Sequence, residues 1–156
     1  MPKQLSIGLD VGSTTVKAVV VDMVADDTIL WRDYQRHDTK QPEKTLEFLQ
    51  RIESEVEGFH SGSTRIFVTG SGGSTVGRLI GAKFVQEVNA VSLAVEKLYP
   101  SCGSVIELGG HDAKIIIFKE DPETGRKKKL PSMNDKCAGG TGAVRSEEHT
   151  SELQSR

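Results

Sequence analysis

Two stretches of this chain, "DVGSTTVKAVVV" (Asp10–Val21) and "ELGGHDAKIIIF" (Glu107–Phe118), lie on one another without a gap. Each opens on an acid and an apolar residue, turns through glycine, places Lys17 or Lys114 in register, and closes on four apolar residues. Strands resemble one another, but an acid, a glycine and a lysine all in register point to one strand–turn–strand unit used twice. A fold that contains this chain must accommodate two such hairpins.

The segments between them carry helical and strand periods in turn. "TILWRDYQRH" alternates enough for a third strand. "PEKTLEFLQRIESEVEGF" sets Leu46, Leu49, Ile52, Val56 and Phe59 at helical spacing, with Pro42 at its start and Gly58 near its end. "RIFVTG" reads as a strand buried on both faces. "EVNAVSLAVEKLY" puts Val88, Val91, Val95 and Leu98 on one helical face, ahead of Pro100. The resulting order is three strands, a helix, a strand, a helix and a strand pair, with "DPETGRKKK" as a charged loop in which the basic run forms a solvated hairpin connection. This is a mixed α/β arrangement.

Each hairpin ends one strand in a carboxylate, Asp10 or Glu107, and starts the return strand with a lysine in reach. Successive backbone N–H groups in such a turn form an anion-binding concavity, and glycine lets a phosphate come close. Gly12 and Gly109–Gly110 supply that room, while Ser13, Thr14 and Thr15 add hydroxyl donors. Lys17 offers a compact charge for phosphate oxygens. The carboxylates would repel phosphate directly, so they make sense through Mg²⁺ with water between. His111, inside the second turn, is placed to touch phosphate or water, or to pack within the turn. The alternative is two tight hairpins whose glycines serve the bend alone.

"GSGGSTVGRL" has the Gly72–Gly77 spacing of a P-loop, but Arg78 and Leu79 stand where lysine and a hydroxyl residue are required. It reads instead as a strand-to-helix connection, with Ser74 or Thr75 as N-cap. His37 and His60 are isolated and read as solvent-facing. Cys102 has no partner pattern. Cys137 lies in "MNDKCAGGTGAV", after Lys136 and before a glycine-rich turn that could open a helix. Those neighbours suit a low-pKa, metal-binding thiolate; composition alone suits a buried free thiol.

At 156 residues and a net charge of −2, the chain can build a core and carries no general pull toward nucleic acid or anionic membrane. Its apolar runs are too short to span a bilayer, no signal peptide opens it, and its two cysteines form no disulfide framework. A cytoplasmic setting follows. "RSEEHTSELQSR", Arg145–Arg156, has no apolar period. It resembles the in-frame translation of a common sequencing adapter over ten consecutive residues. Residues 145–156 are therefore expected to be a non-native tail, and residues 1–144 the front part of a longer gene product.

Together these motifs resemble the actin-like ATPase superfamily, with "GLDVGSTTVKAVVVD" similar to its first phosphate motif and "IELGGHDAK" to its second. "MNDKCAGGTGA" is similar to the signature of the activator ATPases of 2-hydroxyacyl-CoA dehydratases and benzoyl-CoA reductases, the BadF/BadG/BcrA/BcrD type. The resemblance covers Leu5–Val144 and implies a ribonuclease-H-like lobe, incomplete before the second lobe. It implies an ATP-hydrolysing homodimer that shares one 4Fe–4S cluster and drives a low-potential electron, taken from ferredoxin or flavodoxin, into a dehydratase or reductase. By position, Cys137 falls at a cluster ligand. Asp10, Glu107 and Asp112 fall at Mg²⁺ and water-positioning sites. Gly12, Ser13, Thr14, Lys17, Gly109 and Gly110 fall at phosphate positions. The compact activators usually have aspartate at Glu107 and glutamine at His111. A carbohydrate or small-molecule kinase of the same superfamily is the competing expectation, in which Cys137 is ordinary. The chain alone is expected to bind nucleotide poorly.

Overall fold

The computed structural model describes residues 3–108, 113–120, 122 and 127–133. The chain divides into two compact units, Met1–Gln86 and Glu87 onward.

The first unit is a five-stranded sheet covered by two helices. β1 (Leu5–Val11), β2 (Thr15–Asp22) and β3 (Thr28–Arg36) run antiparallel in sequence. β4 (Arg65–Thr69) returns parallel to β1 after α1 (Gln41–Glu55), and β5 (Lys83–Phe84) adds parallel to β4 after α2 (Gly73–Ile80). The order is β3-β2-β1-β4-β5. These are the three antiparallel N-terminal strands and flanking helices expected of a ribonuclease-H-like lobe. The short stretch before β5 adds a helix and a strand to the expected order.

One face of this sheet makes the core. Ile7, Leu9 and Val11 pair with Val20, Ala18 and Val16, so all six point the same way, and all are buried. Phe48 and Ile52 of α1 are fully buried against them, with Thr45 beside them and Leu49 at the margin. The expected helical face included Leu46; it is instead 56 % exposed. Phe48 takes the inward position, packed in the core and meeting Trp31 of β3 edge-on at 5.8 Å. Outside this contact Arg51 binds Asp33 of β3 and Glu55, lies over the Trp31 ring at 5.2 Å, and Trp31 donates its indole N–H to Glu55 at 2.6 Å.

Gly77 lets α2 lie close to β4, since a Cβ there would stand 2.7 Å from Val68 Cγ1. The helix is preceded by Gly72 as N-cap without a side-chain cap, not by Ser74 or Thr75, both of which are exposed inside its first turn. The backbone N–H of Gly72 donates to the Val11 carbonyl at 2.9 Å and that of Gly73 to the Gly70 carbonyl at 3.0 Å, so backbone acceptors take up two of the donors at the helix start.

The second unit holds α3 (Glu87–Leu98) and an antiparallel sheet in the order β6-β7-β8, with β6 at Ser104–Leu108, β7 at Ala113–Glu120 and β8 at Lys127–Met133. Lys114, Ile116 and Phe118 occupy the buried face of β7. The basic run expected as a loop is the start of β8: Lys127 pairs with Glu120 and Lys128 with Lys119 in the ladder. Backbone pairing to β7 outweighs side-chain charge there, and lysine is common on edge strands. Pro131 also lies on this edge, where a missing N–H is tolerated.

Candidate nucleotide site

The β1–β2 hairpin places its acid and its lysine directly opposite one another. Asp10 is in register with Lys17, and the ammonium Nζ lies 2.7 Å from Asp10 Oδ2. The same ammonium stands 5.8 Å from the centre of the Tyr34 ring on β3. Both ends of the pair remain partly open to solvent, so its own contribution to stability is small. The turn closes by the Gly12 N–H donating to the Thr15 carbonyl at 2.9 Å. Ser13 and Thr14 are exposed at its tip, while Thr15 is buried at the start of β2.

The turn is held from beneath by residues that sequence reading missed. Gln41 Nε2 donates to the Gly12 carbonyl at 2.8 Å, and His37 Nε2 lies 3.2 Å from the same oxygen. The His37 backbone N–H donates to the Thr14 carbonyl at 3.3 Å. His37 is 5 % exposed, so the expectation of a solvent-facing histidine is overturned; His60 is exposed as expected. A donor role toward a carbonyl requires the proton on Nε2, and Nδ1 is buried with no partner among the described residues. The signal was in the register. Thr15 pairs with Arg36, so the residue after Arg36 must arrive beside the turn.

The β4–α2 connection packs on the other side of Asp10. β4 is parallel to β1 with Thr69 beside Asp10. Gly70 has φ +93°, and a Cβ there would lie 2.4 Å from the Val11 carbonyl oxygen and 2.7 Å from Asp10 Oδ1. Glycine is required at this point because no side chain fits and the backbone is left-handed. Three loops thus converge at the carboxyl ends of β1 and β4, the place where open α/β sheets receive ligands.

In the second unit the echo is reproduced in register: Glu107 pairs with Lys114. Lys114 Nζ is 3.4 Å from Glu107 Oε2 and forms a closer ion pair with Glu87 at the start of α3. Burial works against the lysine's charge, but the hydrogen bond to Glu87 and the nearby Glu107 carboxylate outweigh it and hold the ammonium above its ordinary range. Gly109, Gly110, His111 and Asp112 lie outside the described residues, and so does Cys137. Cys102 is a free, half-buried thiol whose Sγ donates to the Ser104 carbonyl at 2.8 Å.

Asp10 offers a hard, partly exposed oxygen donor next to a glycine turn and a lysine, which fits Mg²⁺ held through water on a nucleotide phosphate. Among the described residues no three His, Cys, Asp or Glu side chains converge on a metal position. None of the helices among them is long and apolar enough to cross a membrane.

The sheet order, the hairpin and the flanking helices define an actin-like ATPase fold. Component A of the (R)-2-hydroxyglutaryl-CoA dehydratase from Acidaminococcus fermentans matches it with a TM-score of 0.70 at 24 % identity, over 88 % of this chain and 50 % of that one. The chain belongs to the BadF/BadG/BcrA/BcrD ATPase family, whose pattern matches residues 7–146. The 2-hydroxyisocaproyl-CoA dehydratase activator of Clostridioides difficile is 30 % identical over 141 residues, which are 88 % of this chain and 48 % of the relative. A structure of the activator of that dehydratase, with bound ADPNP, matches with a TM-score of 0.63 at 28 % identity, over 88 % of this chain and 48 % of that one. The activating ATPase of the A. fermentans enzyme is 27 % identical over 142 residues. The chain spans about half the length of the curated relatives it matches.

Proposed function

We propose that this chain is the nucleotide-binding front of an ATP-hydrolysing activator that passes a low-potential electron to a 2-hydroxyacyl-CoA dehydratase or a related CoA-substrate enzyme. The observation that carries this reading is the Asp10–Lys17 pair at the mouth of a glycine turn, in a chain that is similar to dehydratase activators along most of its length. In this reading the Gly12–Thr15 turn and Lys17 bind phosphate oxygens, and Asp10 orients the hydration shell of Mg²⁺. Mg²⁺ held there would supply charge neutralisation for the nucleotide phosphates. Glu107 and Asp112 position water from the second turn, with Gly109, Gly110 and His111 lining it. Cys137 is one ligand of a 4Fe–4S cluster shared across a homodimer, and ferredoxin or flavodoxin is the electron donor. The setting is cytoplasmic.

The test is anaerobic purification of the full-length gene product, followed by ATPase and dehydratase-activation assays. The wild-type protein is expected to be brown, to hydrolyse ATP and to start turnover of an acyl-CoA dehydratase. Lys17→Met should weaken MgATP binding about tenfold or more through loss of a charge-assisted phosphate contact. Cys137→Ser should remove the cluster absorbance and leave ATP binding in place. ATP-dependent phosphorylation of a sugar by a colourless protein would instead establish the kinase reading.

A further inference from the structure

Thr69, the last residue of β4, has a hydroxyl that is buried without a hydrogen-bond partner among the described residues. The sheet register places it deliberately. Tyr34 on β3 is beside Lys17 on β2, Lys17 is beside Asp10 on β1, and Asp10 is beside Thr69 on β4. Residues in register share a face, so these four form one polar row across four strands. Three of its members engage one another: the Lys17 ammonium lies 2.7 Å from Asp10 Oδ2 and 5.8 Å from the Tyr34 ring centre. The Thr69 hydroxyl does not join them. Yet the next residue, Gly70, runs directly against the carboxylate, as its missing Cβ would lie 2.7 Å from Asp10 Oδ1. A buried hydroxyl with no partner is disfavoured, and valine would fill the same space without that cost. The hydroxyl therefore calls for a role in another state of the site.

We propose that Thr69 is a positioning residue for Asp10, donating its hydroxyl hydrogen to the carboxylate when Lys17 leaves it for phosphate. This rests on the nucleotide reading above. Phosphate oxygens compete with the Asp10 carboxylate, now 2.7 Å away, for the Lys17 ammonium, and a phosphate that draws it across the turn lengthens that contact. When it turns to phosphate, the carboxylate loses its donor and becomes free to rotate. A hydroxyl from the neighbouring strand then fixes one oxygen and leaves the other directed at the hydrated cation. The exchange moves hydrogen bonds only; no covalent bond forms or breaks.

The experiment uses the full-length protein, with Thr69→Val and Thr69→Ser, and reads two quantities besides turnover. These are the melting temperature without nucleotide, and the calorimetric affinity for ADP with and without Mg²⁺. Thr69→Val is expected to melt at the wild-type temperature or about 2–4 °C above it. Its Mg²⁺-free ADP affinity should match wild type, while the gain in affinity on adding Mg²⁺ shrinks by about tenfold. Thr69→Ser, which keeps the hydroxyl, should recover that gain to within about threefold. The proposal is overturned if Thr69→Val keeps the full Mg²⁺-dependent gain, if it melts well below wild type, or if serine fails to restore the gain. A wild-type protein that binds no ADP with Mg²⁺ would sink the nucleotide reading itself, and the role of Thr69 with it.

Discussion

Gly70 shows how a single position can decide a site it does not itself serve. Its φ of +93° and the 2.4 Å approach of a would-be Cβ to the Val11 carbonyl leave no room for alanine. The clash is with backbone, which cannot yield as a long side chain would. Gly70→Ala is therefore expected to cost about 2–4 kcal/mol, from left-handed strain plus overpacking. Urea denaturation of wild type and variant checks this, and a midpoint shift under half that size would show that β1 can give way. The Asp10–Lys17 hairpin that turns at Gly12 was legible because an acid, a glycine and a lysine at that spacing mark a strand, a turn and a return strand. His37, Gln41, Thr69 and Gly70 were not, since each is ordinary in its own neighbourhood and gains meaning only from the strand laid beside it.

At the scale of elements, α1 and β3 are joined by a charged network at the rim of the core. Burial pushes the Asp33 carboxyl up, but hydrogen bonds from Arg51, the Tyr34 N–H and the Gln35 amide outweigh it and hold it below the usual carboxylate range. Hydrogen bonds from the Trp31 indole N–H and from Arg51 hold Glu55 low as well. A carboxyl with a depressed folded pKa contributes stability above its unfolded pKa, near pH 4, and loses it as pH falls through the lower folded value. The protein should therefore weaken as pH drops below about 4. Asp33→Asn should be less stable at neutral pH, with a shallower loss on the acid side, measurable by urea denaturation across a pH series. Parallel acid limbs for wild type and variant would show that Asp33 does not titrate with folding. The elements themselves were largely readable: alternation marked β3, and Pro42 marked the start of α1. The rotation of α1 was not, because Leu46 and Phe48 are both apolar and only the sheet beneath the helix chooses between them.

At the scale of the whole molecule, the repeated acid–turn–lysine unit occurs once in each compact unit, paired in register both times. A nucleotide's base and ribose need contacts beyond a phosphate turn, and this chain spans about half the length of its curated relatives. Residues 1–144 alone are expected to show ATP affinity weaker than about 1 mM by calorimetry, a level at which only a few phosphate contacts contribute. Micromolar affinity would mean that residues 1–144 already hold the determinants of binding.

What the sequence determined by itself was local: the acid–lysine hairpins, the mixed α/β order, and the family membership. Residue type and spacing along the chain are enough for those, because glycine, acid and lysine act within a few bonds of one another. Tertiary structure alone decided the His37 and Gln41 support of the turn, the burial of the Thr69 hydroxyl beside Asp10, and the entry of the basic run into β8. Each depends on backbone hydrogen bonds between strands distant in sequence, and a ladder's register is set by the sheet as a whole rather than by the residues it brings together.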